Sequence, residues 1–166
     1  TVYNGLCAFS VAYENGIHKD AIRGALSTFK GSERRLEYYK NTPRGGRIYI
    51  DYAHHPREID ATLDSLSRMG YRNVLCVFQP HTFSRTYALY KEFVSSLMKA
   101  GELVLTDIYP AREENIYGVS AKELARDTGG EYLRDFQSVA DKIKECKNDA
   151  VVIMGAGDII NVKKFI

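Results

Sequence analysis

Asp51, Tyr52, His54 and His55 follow the apolar run Ile48-Tyr49-Ile50 and lead straight into Pro56. Further along, Gln79, His81 and Arg85 follow a second run, Val74-Leu75-Cys76-Val77-Phe78. Carboxylate, imidazole and guanidinium are the groups that accept ribose hydroxyls, exchange protons near neutrality and grip anions. Both segments share one layout: a short β-branched or apolar run, a knot of polar and ring side chains, then the start of a helix. In open α/β sheets that layout marks ligand sites, because the loop leaving each strand and the helix N-terminus after it converge on one crevice.

Each residue has a chemical and a plain structural reading. A carboxylate at a strand's carboxyl tip, as expected for Asp51, can accept two ribose hydroxyls at once. His81 and Arg85 are four positions apart and reach one side of a first helical turn, where a guanidinium fork can bind carboxylate or phosphate in a bidentate way. The plain alternative for Arg85 is a surface pair with a nearby acid. Arg34-Arg35 reads either as solvated charge or as an anion grip at a domain junction. His54 and His55 are adjacent, so their rings diverge, and H-E-x-x-H spacing is absent; no protein-only metal site is expected. His55 before Pro56 also suits a helix cap. Gly155-Ala156-Gly157 lacks a third glycine, with Ile160 in its place. Close packing of a helix end against the sheet explains it better than dinucleotide binding. No G-x-x-x-x-G-K-[ST] phosphate loop occurs in the sequence.

The elements that must position these residues read clearly. Leu6, Phe9, Ser10 and Tyr13 predict a helix ended by Gly16, and Ile22, Ala25, Leu26 and Phe29 a second, begun near Asp20 and stopped by Gly31. From about residue 32 the texture changes to two strands around Pro43 to Gly46, antiparallel or sequential. A helix over 56–69 opens on Pro56 and meets Gly70, with Ile59, Leu63 and Leu66 on one face. Then come a strand at 73–78, one long helix reaching Ala100 with Tyr90, Phe93, Val94, Leu97 and Met98 inward, a strand at 102–106 and a loop from Asp107 to Val119. Ser120 and Glu123 form a capping box for a helix ending at Gly129-Gly130. A short strand at Tyr132, a helix from Phe136 to Cys146 and a buried strand at 150–154 complete an α/β chain with a mostly parallel, two-sided sheet.

Composition narrows the class. The 166 residues are 45% hydrophobic and 27% charged with a net charge of +2, which suits a globular chain and argues against a nucleic-acid or membrane partner. Cys7, Cys76 and Cys146 are odd in number and have no ligand spacing, so a reducing cytoplasm is the expected setting. There is no signal-peptide pattern.

Taken together, Tyr3-Asn4-Gly5-Leu6, Gly31-Ser32-Glu33-Arg34-Arg35, Asp51-Tyr52-Ala53-His54-His55-Pro56, Gln79-Pro80-His81-Thr82-Phe83-Ser84-Arg85, Thr106-Asp107-Ile108-Tyr109-Pro110-Ala111-Arg112-Glu113 and Met154-Gly155-Ala156-Gly157-Asp158 resemble, in order, the C-terminal part of the Mur ligase family, most closely its alanine-adding members. The resemblance implies a Rossmann-like C-terminal domain at 32–166 and, at 1–31, the helical end of a central ATP-binding domain. It implies ATP-dependent amide formation between UDP-N-acetylmuramate and L-alanine through an acyl phosphate, with Mg2+, in peptidoglycan synthesis. Upstream domains of the same chain would carry the phosphate loop, so this chain alone is expected to be inactive. The resemblance places Asn4 at the adenine, Arg35 at a phosphate and Asp51 at the ribose, with Tyr52, His54, His81 and Arg85 around the alanine. It assigns no catalytic residue within the chain. Thr1 stands where many members have an Asn, and Thr82 where some have an Arg. A free-standing nucleotide- or ligand-binding module of the same fold is the alternative.

Overall fold

A computed structural model describes residues 2–29 and 31–166, and the chain divides into two compact units, Thr1–Ser32 and Glu33–Ile166. The first holds α1 (Val2–Glu14) and α2 (Lys19–Thr28). Gly16 supplies the left-handed turn, φ 80°, that ends α1. The ring of His18, rather than Asp20, caps α2 by accepting the Asp20 amide. No residue of α1 is buried, and its Val2, Tyr3, Leu6, Val11 and Tyr13 are all exposed.

The second unit is a six-stranded sheet in the order β1-β2-β6-β3-β4-β5, comprising β1 (Glu37–Asn41), β2 (Arg47–Asp51), β3 (Val74–Phe78), β4 (Glu102–Leu105), β5 (Glu131–Tyr132) and β6 (Ala150–Met154). β1 runs antiparallel to β2, and every other pairing is parallel. Continuous apolar runs make β3 and β6 wholly buried, as strands covered on both faces must be.

Side-chain alternation then builds two cores. Cys76, Phe78, Val152 and Met154 meet Ile59 and Leu66 of α3 (Pro56–Arg68), Phe93 and Leu97 of α5 (Tyr90–Leu97) and Leu124 of α6 (Ala121–Thr128). On the other face Leu75, Val77, Val151 and Ile153 meet Val139 and Ile143 of α7 (Phe136–Glu145), and Ile159 and Val162 of the 3-10 helix Asp158–Lys164. Each such side chain contributes roughly 1.5–3 kcal/mol on burial. Cys76 is one of them, a small hydrophobe whose thiol is pushed up by desolvation.

Local signals hold at several ends. His55 caps α3, its Nδ1 accepting the Arg57 amide at 3.3 Å. Ser120 Oγ accepts the Glu123 amide at 3.2 Å and donates its own hydrogen to Glu123 Oε2 at 2.9 Å. Gly129 ends α6 at φ 72°. The single long helix expected after residue 82 is instead two, α4 (Phe83–Ala88) and α5, broken at Leu89 with φ −113° and ψ 24°. No Pro or Gly announces the break. The buried Thr86 hydroxyl bonds back to the Thr82 carbonyl at 2.7 Å, a side-chain competitor that bends helices. Met98, expected inward, is 62% exposed because α5 has already ended.

Because α1 has no buried side chain, its amides should exchange with deuterium far faster than those of β6, which lies between two strands and two cores. Hydrogen exchange resolved by residue checks this, and equal protection would contradict it.

Candidate functional site

The parallel ladders level the strand tips. Met154 pairs with both Asp51 and Phe78, and Phe78 pairs with Leu105, so the loops leaving β2, β6, β3 and β4 rise from neighbouring positions on one sheet edge. That edge is the ligand-binding end of an open parallel sheet.

Asp51 closes β2 and is 6% exposed. Its Oδ2 accepts the Leu36 amide and its Oδ1 the Ala53 amide, both at 2.7 Å. Burial pushes its carboxyl above the usual carboxylate range, and those amides and Arg35 partly oppose the shift. Tyr52 next to it carries the Arg34 guanidinium 4.6 Å above its ring. Arg34 Nη2 also donates to the Gly155 carbonyl at 2.5 Å, tying the β1 entry to the β6 exit, whereas Arg35 is well exposed and only 4.0 Å from Glu58. The two arginines that look alike in sequence thus differ: one is built into the framework and the other is exposed in a loose pair with Glu58.

His54 stands edge-on to Tyr52 at 5.4 Å between ring centres and 6.1 Å from the ring of His81. His81 stacks on Tyr109 at 5.4 Å and forms a parallel bridge with it. Tyr109 in turn is backed by Gly157, where an added Cβ would lie 2.6 Å from the Tyr109 ring and 2.5 Å from Gln79 Oε1. The glycine turn is therefore a close-packing device. Gln79 belongs to it, donating to Asp158 Oδ1 at 2.7 Å and accepting the Ile159 amide at 3.0 Å.

Thr82, at φ 71°, sits where a β-branched residue is strained, and its side chain makes no cap for α4. Glu113 does so from across the site, accepting the Ser84 amide at 2.9 Å and the Ser84 hydroxyl at 2.5 Å. These bonds hold its carboxyl below the usual range. The capped turn carries Arg85, whose Nη1 is buried with no hydrogen-bond partner among the described residues, and so is His81 Nδ1. A buried donor left unmet costs roughly 1–3 kcal/mol, and a free guanidinium beside imidazoles is suited to receive a carboxylate. Burial, then Arg85, then His54 lower the His81 pKa.

The structure thus brings Tyr52, His54, His81 and Arg85 to one edge, with Asp51 and Arg35 beside them. Asn4 lies exposed in the first turn of α1, in the other unit; Thr1 lies outside the described residues. Glu58 is not singled out by the sequence, and Tyr109 and Glu113 figure there only within a family motif and with no role, since acids and tyrosines are common and their partners are remote. Among the described residues, no group of three His, Cys, Asp or Glu could hold a metal ion, and no helix is long and apolar enough to cross a membrane. A cavity of about 600 Å3 lined by Tyr87, Tyr90 and Tyr117 shares no residue with the site.

The chain is thus a Rossmann-like, mostly parallel sheet with a cluster of arginine, histidine and tyrosine side chains at its carboxyl edge. The Mur ligase glutamate ligase domain matches residues 34–157, and the chain belongs to the Mur ligase family. It is 47% identical over 164 residues to the UDP-N-acetylmuramate–L-alanine ligase of Aquifex aeolicus, covering 95% of this chain and 35% of that protein. It is 45% identical over 165 residues to the enzyme of the same name from Caldicellulosiruptor saccharolyticus, covering 95% and 36%. The chain thus spans about a third of the length of the curated relatives it matches. The crystal structure of the UDP-N-acetylmuramate-alanine ligase of Thermotoga maritima shares its fold, with a TM-score of 0.77 at 23% identity over 99% of this chain and 36% of that one.

The His81 ring should titrate below about 6.5. Arg85→Ala should move the midpoint up, yet leave it below normal, because burial is the larger cause. Since the folded midpoint is depressed, His81 removes stability as pH falls from about 6.5 through that midpoint. NMR titration of the ring protons checks both signs.

Proposed function

We propose that the protein joins L-alanine to UDP-N-acetylmuramate at the expense of ATP, in the cytoplasm, in peptidoglycan synthesis, and that this chain contributes the amino-acid site and part of the ATP site. The observation that carries the reading is the buried, unpartnered Arg85 Nη1 beside His81, an arrangement suited to a small carboxylate. The ligase name borne by relatives along 95% of the chain supports it, and gives none to a non-catalytic binding module.

On this reading residues 32–166 are the family's C-terminal domain and residues 1–31 the end of an ATP-binding domain. Arg35 meets an ATP phosphate with its exposed guanidinium. Asp51 meets the ribose with the lone pairs left after its two backbone amides, and Asn4 meets the adenine. Tyr52, His54 and His81 wall the alanine, and Arg85 holds its carboxylate. Chemistry requires activation first, because a carboxylate is a poor electrophile until one oxygen becomes a phosphate leaving group; excluding water then protects the acyl phosphate. Mg2+ would assist the phosphates, and among the described residues no group of three His, Cys, Asp or Glu could hold it.

In the full-length protein, Arg85→Ala should raise the KM for alanine far more than that for ATP. A charged hydrogen bond is worth about 1.5–3 kcal/mol, so kcat/KM for alanine should fall on the order of 10- to 150-fold. Lysine should restore only part, keeping the charge without the fork. Steady-state kinetics with each substrate varied decides, and an unchanged alanine KM would sink the assignment. The 166-residue chain alone, whose sequence has no phosphate loop, should show no alanine-dependent phosphate release from ATP.

A further inference from the structure

An amino acid reaches such a site mainly as the ammonium, which has no lone pair with which to attack. Something must take its proton. Two imidazoles are at hand, and their surroundings differ.

His54 Nδ1 lies 2.9 Å from the Tyr52 carbonyl oxygen and 3.3 Å from Glu58 Oε2. Both are acceptors only, so Nδ1 carries the hydrogen and the Nε2 lone pair is left free. The same Glu58 oxygen accepts the His54 backbone amide at 3.0 Å, so one carboxylate fixes both the main chain and the ring. Glu58 sits in the first turn of α3, where the helix dipole favours a negative charge. Partial burial works against its ionisation, yet the His54 amide, the His54 ring and Arg35 hold its carboxyl below the usual range. His81 has the opposite setting: it is half-buried, Arg85 is beside it, and its Nδ1 has no partner, so gaining a proton is disfavoured.

We propose that His54 Nε2 is the base that deprotonates the incoming amine, with Glu58 as the residue that positions it. The inference rests on the ligase reading above. The ammonium gives one proton to Nε2, and the freed lone pair attacks the acyl carbon. The C–N bond forms as the C–O bond to phosphate breaks. Phosphate leaves with that electron pair and takes the second nitrogen proton as hydrogen phosphate, and the imidazolium later returns its proton to solvent. The charged and titratable groups facing His54 are Tyr52, Glu58 with Arg35 behind it, and His81 with Arg85 behind it.

Hydroxylamine separates the roles, because it is unprotonated at neutral pH and converts an acyl phosphate to a hydroxamate without a base. With the full-length protein, UDP-N-acetylmuramate, ATP and Mg2+, His54→Gln should cut alanine turnover about 100- to 10,000-fold while hydroxamate formation persists. Glu58→Gln should cut alanine turnover by a smaller factor, and that loss should shrink as pH rises and the amine deprotonates unaided. Hydroxamate lost in step with alanine turnover in His54→Gln, or alanine turnover kept, would overturn the role of His54. A pH-independent loss in Glu58→Gln would overturn that of Glu58. A wild-type protein that consumes alanine but yields no hydroxamate would instead overturn the acyl-phosphate reading on which this step stands.

Discussion

The placement of β6 between β2 and β3 is the constraint on which the rest depends. Every residue of this strand is buried, and it is hydrogen-bonded on both sides although its neighbours come from much earlier in the chain. Asp149, just before it, secures the lower end: its carboxylate accepts the amides of Arg72 and Asn73, and its carbonyl accepts that of Arg47. With the lower ends fixed and the registers set, the upper ends come level, and the loops carrying Tyr52, His54 and His81 are neighbours without any direct bond between them. A slip of one residue in β6 would exchange its two apolar faces, so the register is held by both cores at once.

On that frame the polar side chains divide into two kinds. Gln79 and Asp51 are buried and satisfied, and their bonds shape the turns. Arg34 Nε, His81 Nδ1 and Arg85 Nη1 are buried and unsatisfied. Native structures tolerate few such groups, and with Thr106 Oγ1 just after β4 they lie around one sheet edge. The irregular loop after β4 serves this edge from outside, with Tyr109 behind His81 and Glu113 capping the turn that bears Arg85. Rigid strands thus set the level of the site while a loop adjusts its chemistry.

Much was legible in the chain itself. Strand and helix periods, Pro56 at a helix start, Gly16 and Gly129 at helix ends, and the Ser120–Glu123 box each depend on residues a few positions apart, and each appears in the structure. Asp51, His81 and Arg85 stand out by the same local rule, polar residues directly after apolar strands, whereas the grouping of Tyr52, His54, His81 and Arg85 is what the family resemblance implies. The break at Leu89 was not legible, since no breaker residue stands there, and neither was the end of α5 at Leu97 that leaves Met98 exposed.

What tertiary structure alone decided is which groups meet. Arg34 reaches Gly155 across 121 positions, and Ser84 reaches Glu113 across 29. Nothing local distinguishes Arg34 from Arg35, or Glu58 and Glu113 from other surface acids. The sequence by itself determined the elements, their order and the residues at their tips, because periodicity and capping act within a turn or two of chain. The strand order, the structural task of one arginine and the unpaired state of another were settled only by packing, because hydrogen-bond partnership depends on proximity in space and burial removes the water that would otherwise serve.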